Sequence, residues 1–61
     1  MLTLVPLILQ LLQMGLTVVP ELISAAQTEV GLLNSGQAPT PAQQAQIDAA
    51  LATANAAVQA A

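Results

Sequence analysis

The chain has no cysteine, no histidine, no lysine, no arginine and no aromatic residue. Each absence removes a class of function. Without cysteine there can be no disulfide, and without cysteine and histidine a structural zinc site loses its usual ligands. A protein with no side-chain cation cannot neutralise phosphates or release their counterions, so no direct nucleic-acid partner is expected. The same lack removes polybasic attraction to anionic lipid. Without Phe, Tyr or Trp there are no base-stacking platforms, no aromatic belt at a membrane surface and none of the usual aromatic binding hot spots.

Charge is also scarce. Glu21, Glu29 and Asp48 are the only ionisable side chains, for a net charge of −3. Glu21 and Glu29 would lie about 12 Å apart along a continuous helix, too far to share one acid–base task. No serine has a neighbouring base, and no glycine-rich phosphate loop exists. The chain therefore reads as a non-enzyme with no cofactor and no metal. Its carboxylates read as helix N-terminal charge and solubility.

What remains is aliphatic residues, alanine, glutamine and small polar groups, which best support helix. With 61 residues the chain allows one small domain. Composition shifts sharply at "NSGQAPTP", residues 34–41. Asn34 and Gly36 end helices, and Pro39 and Pro41 cannot continue one, so residues 34–40 read as a turn between an apolar segment, 1–33, and an Ala/Gln-rich helix, 41–61. A short connection joins antiparallel neighbours, and the expected fold is an all-α helical hairpin that assembles as an oligomer or within a larger complex.

The second helix carries a clear start: Thr40 as N-cap, Pro41 at the first position and Gln43 at the third form a capping box. Its larger apolar residues, Ile47, Leu51 and Val58, with Ala54 between them, fall on one narrow stripe and form the expected hairpin or oligomer seam. The first segment is expected to be helical from about residue 4 to 33. Pro6 suits a first turn, and the helix should be bent or interrupted between Gly15 and Pro20, with Pro20 either kinking it or starting a new one.

A polar line runs through this first segment: Thr3, Pro6, Gln10, Gln13, Thr17, Pro20, Ser24, Gln27, Gly31 and Asn34 follow steps of three and four, the spacing of one helix face. Around it lies a wide apolar surround, with Leu2, Val5, Leu9, Leu12, Leu16, Val19 and Ile23 as the expected assembly residues. The line, with Gln10, Gln13, Thr17, Ser24 and Gln27 as its main members, either faces water or joins helices within a bilayer.

Between Leu2 and Leu33 there are 17 Leu, Ile, Val and Met residues, against three from Asn34 onward. A helix with three such groups cannot cover one with 17, so a free monomer in water is not expected. Leu2 to Pro20 is 19 uncharged residues, about 28 Å of helix, close to a hydrocarbon core of about 30 Å. Length permits a membrane span. Two central glutamines, the prolines, Gly15 and the missing aromatic and basic flanks oppose it. A secretory signal peptide is a poor match for want of a basic leading region. Glu29 lies opposite the polar line, which suits protein surroundings.

The stretch "AQTEVGLLNSGQAPTPAQQAQIDAALATANAAVQAA", residues 26–61, resembles the C-terminal part of short proteins encoded in bacteriophages and prophages, where a hydrophobic helix precedes an "APTP-x-QQ-x-x-ID-x-AL-x-x-AN-x-A" helix. The resemblance implies a phage origin and a small helical accessory role, such as a minor component of the virion capsid, connector or tail. Two functions are therefore expected to compete. One is a structural interaction protein, assembling with copies of itself or with other phage structural proteins. The other is a small holin-like protein of the host inner membrane, oligomerising through Gln10, Gln13 and Thr17.

Overall fold

Two glycines and two prolines divide the chain into three helices. In a computed structural model, which describes residues 3–61, these are α1 (Leu4–Gln13), α2 (Pro20–Ser35) and α3 (Pro41–Ala60), with no strand among the described residues.

Helix α1 ends because Gly15 adopts a left-handed conformation, φ 78°. The Leu16 N–H then donates to the Leu11 carbonyl at 3.0 Å and the Gly15 N–H to the Leu12 carbonyl at 3.1 Å. This paired termination satisfies carbonyls that a plain helix end would leave open, and half-buried Leu16 packs back on the core beside buried Leu11. Helix α2 begins at Pro20, whose missing N–H costs nothing at a first helical position. Val19 before it is extended, as a residue preceding proline prefers. Glu21 sits in the first turn, where negative charge suits the helix dipole. Gly36, φ 72°, ends α2 with one bond to the Leu32 carbonyl at 2.9 Å. Helix α3 opens on the capping box read from the sequence: Gln43 N–H donates to Thr40 Oγ1 at 3.2 Å and Thr40 N–H to Gln43 Oε1 at 2.9 Å.

Successive helices run antiparallel. The start of α1 meets Glu29 in the second half of α2, and Thr28 Oγ1 of α2 stands 3.3 Å from Gln46 Oε1 near the start of α3. The result is an up-down-up bundle measuring 34 × 18 × 17 Å. Its core joins Leu4 and Leu11 of α1, Leu22, Ala25 and Ala26 of α2, and Ile47, Ala50 and Ala54 of α3. Four of these eight are alanines, so α2 and α3 meet through small side chains, while α1 contributes two fully buried leucines.

Two expectations change. The expected hairpin, its first helix bent or interrupted between Gly15 and Pro20, becomes three helices, because the Gly15 termination and Pro20 start fold the apolar segment back on itself. The polar line is likewise not one face of one helix: residues 14–19 are not helical, so its members divide between α1, the connection and the antiparallel α2. The 17 large aliphatic residues need not all be covered by α3, since α1 and α2 cover each other in part. The described structure also has α2 running to Ser35, two residues past the expected boundary.

Candidate interaction surface

Sequence-derived candidates fall into three groups. Every member of the polar line is exposed, Gln10, Gln13, Thr17, Ser24 and Gln27 included. Of the apolar surround, Val5 and Leu16 are half-buried against the core, Leu9, Leu12, Val19 and Ile23 are exposed, and Leu2 lies outside the described residues. In the α3 seam, Ile47 and Ala54 are buried and Leu51 and Val58 half-buried against the same core. That seam faces the chain's own other helices.

Exposed apolar bulk concentrates in one part of the chain. Leu9 and Leu12 are 54% and 57% exposed, followed by Met14, Val19 and Ile23, with Leu33 alone further on. On α1, Val5, Leu9 and Leu12 follow a four-then-three spacing and form one stripe. Pro6, Gln10 and Gln13 follow the same spacing one residue later and form a second stripe beside it. Leu9, Leu12, Pro6, Gln10 and Gln13 make the outer face of α1, with half-buried Val5 at its edge, and the face includes no charge.

At the opposite end of this helix the polar chemistry is internal. The Thr3 side chain makes no cap to its own helix. Instead Glu29 reaches across from α2. Its Oε1 accepts from the N–H groups of Thr3 and Leu4 at 2.8 and 3.0 Å, and its Oε2 accepts from the Thr3 hydroxyl at 2.7 Å. Partial burial pushes the carboxyl pKa up. The hydrogen bonds from the Thr3 hydroxyl and from the Leu4 and Thr3 N–H groups outweigh it and hold the group below its ordinary value. Pro6, lacking an N–H, removes one of the remaining open donors of this helix end. A cleft of about 460 Å³ opens beside this arrangement, lined among others by Glu29, Leu32, Gln44, Ile47 and Leu51.

No family model matches the chain, nor does any curated protein or solved structure.

Among the described residues, no three carboxylates gather where they could hold a metal ion. The Glu29 carboxylate already accepts three hydrogen bonds, and Asp48 Oδ1 accepts from Gln44 Nε2 one turn earlier at 2.9 Å. Both act on the fold. Residue type alone points neither to the Glu29 contact nor to the alanine core. The contact spans 26 positions and leaves no local signal except that Glu29 falls off the polar line. The exposed Met14 was hidden because a helix through residue 14 would have counted it among the apolar surround. The surface left with unassigned capacity is the outer face of α1 and the connection after it.

Proposed function

We propose that this chain is a non-enzymatic assembly protein that buries the outer face of α1 and the neighbouring apolar residues of the connection against protein partners. One observation carries the reading: Leu9 and Leu12 stand more than half exposed on a helix that includes no charge. Burying a large aliphatic side chain is worth about 1.5–3 kcal/mol, so leaving this face in water forgoes stabilisation that a partner would supply. The proposed partners are further copies of the chain or other structural proteins of a phage particle, in capsid, connector or tail. The virion setting rests on the resemblance of residues 26–61 to short phage-encoded proteins. Replacing Leu9 and Leu12 by Asp should abolish assembly in light scattering while leaving the helical circular dichroism unchanged, because both side chains point out of the bundle. Normal assembly by that variant would sink the proposal.

The same uncharged face supports a second reading, a membrane-associated protein. No helix among the described residues is long and apolar enough to cross a membrane. Helix α1 alone is about 15 Å long, half a hydrocarbon core, so in this reading it lies within the interface. Fractionation separates the two: recovery with particles or a soluble oligomer supports assembly, and recovery with membranes supports the second reading.

A further inference from the structure

Helix α1 does not run the full length of its neighbours. It begins where Glu29 caps it, while α2 continues to Ser35, about 9 Å further along. The cleft of about 460 Å³ opens there, between α2 and α3. Thr3 and the Glu29 carboxylate line it beside the start of α1, and Gln44 lines it from α3, while Leu32, Leu33, Ile47 and Leu51 supply its apolar wall. We propose that this cleft binds a small primary alkylammonium ion, with the ammonium on Glu29 and an unbranched alkyl chain along the leucines and Ile47. The site is separate from the outer face of α1.

Charge complementarity selects the head group. Glu29 is half-buried, its three hydrogen bonds come from neutral donors, and the described residues include no side-chain cation to offset its charge. Counting lone pairs then narrows the cation. An ionised carboxylate has about four acceptor sites. Oε1 uses two of them, for the N–H groups of Thr3 and Leu4, and Oε2 uses one, for the Thr3 hydroxyl. What is left is a single site on Oε2. A guanidinium engages a carboxylate best through both oxygens at once, whereas an ammonium is a compact point donor that one open site can serve. Gln44 provides a further acceptor. A carboxylate only accepts, so Gln44 turns its Nε2 to Asp48 Oδ1 at 2.9 Å and keeps its amide oxygen to accept from one of the remaining ammonium N–H donors.

The apolar wall selects the tail. Along α2 the lining runs from Glu29 to Gly36, about 10 Å of helix. A lysine stem carries only four carbons, and the backbone amides behind it would then lie among leucines without partners. An alkyl chain has no polar group to bury. The cleft therefore suits a free amine over the lysine of a partner protein.

Titrating the full chain with octylammonium below its micelle-forming concentration, followed by amide NMR shifts, tests the site. Shifts should concentrate at Leu32, Leu33, Gly36, Ile47 and Leu51, and affinity should rise about two- to fourfold per methylene from butylammonium to octylammonium. Glu29→Gln should weaken binding about tenfold or more. Glu21→Gln removes the same charge about 12 Å away along α2 and should leave binding unchanged. Leu33 is 52% exposed and takes no part in the α1 cap, so Leu33→Asn should weaken octylammonium binding with unaltered circular dichroism, which keeps the test decisive if Glu29→Gln unsettles the fold. Shifts centred on Leu9 and Leu12, or equal losses in Glu21→Gln and Glu29→Gln, overturn the site. Octylguanidinium binding more tightly than octylammonium overturns the choice of head group. A capped lysine, with its α-amine acetylated and its carboxyl amidated, that binds as tightly as octylammonium overturns the free amine.

Discussion

The carboxylate of Glu29 accepts the backbone N–H of Leu4 at 3.0 Å, so a side chain of α2 caps the first turn of α1. Two further donors from Thr3 complete the contact, and the first helix depends for its start on a residue in the second.

That dependence has a pH signature. Because the folded state holds the Glu29 carboxyl below its ordinary value, this contribution is fully present above the unfolded pKa. It is lost as pH falls from the ordinary value of 4.5 through the lower folded one. Glu29→Gln should flatten that part of the acid limb of a Tm-against-pH curve and lower neutral-pH stability by about what the parent loses on acidification, since the amide lacks the charge and its nitrogen cannot accept from the Thr3 hydroxyl. Glu29→Ala, which removes the acceptor, should cost about 1 kcal/mol at neutral pH, as loss of an N-cap does. For a chain of this size that is roughly 4–8 °C in Tm. An unchanged acid limb in Glu29→Gln would show that the contact is not formed in solution.

Alanine at the three glycines should act with opposite signs. Nothing lies within 4 Å of a Cβ added at Gly15, Gly31 or Gly36, so space decides none of them. Gly15→Ala and Gly36→Ala must hold φ of 78° and 72°, and each should lose about 1–2 kcal/mol. Gly31 sits inside α2, and Gly31→Ala should gain about 0.5–1 kcal/mol from helix propensity. Urea unfolding of the three variants checks the pattern, and a stabilising Gly15→Ala would mean that α1 does not end there.

Enlarging the alanine core should be costly. Ala54 is fully buried, and Ala54→Leu should lose about 1–3 kcal/mol through overpacking between the helices. Ala56→Leu, exposed on the same helix, serves as the control and should change stability by less than about 0.5 kcal/mol. Equal thermal midpoints for the two would place α3 differently.

Thr40→Ala removes the oxygen that accepts the Gln43 N–H and should cost about 0.5–2 kcal/mol, whereas Thr40→Ser should recover most of it. Failure of serine to recover stability would point to lost packing of the threonine methyl group instead.

Local chemistry was legible in the sequence. Thr40, Pro41 and Gln43 announce the start of α3 because all the atoms of a capping box lie within one turn, and Pro20 and Gly15 mark the interruption for equally local reasons. The number of helices was not, since spacing of three and four continues through residues 14–19 whether or not the backbone is helical there. The Glu29 cap and the packing of Ala25, Ala26, Ala50 and Ala54 were hidden as well. Both arise from residues far apart in the chain, and an alanine's burial depends on what approaches it rather than on what it is. On the proposed surface, Leu9, Leu12, Gln10 and Gln13 could be named from type and spacing. Which of them stay exposed required the fold, because Val5 and Leu16 belong to the same set and are half-buried.

The turn at Gly15 also sets α1 against both of the other helices, around one shared core. Helices α2 and α3 share their alanine contact and the Thr28–Gln46 contact, whereas α1 is held by two buried leucines, some flanking apolar contacts and a remote carboxylate. Because α1 packs on both other helices and brings the two largest fully buried side chains, its amides should exchange together with those of α2 and α3, as one cooperative unit.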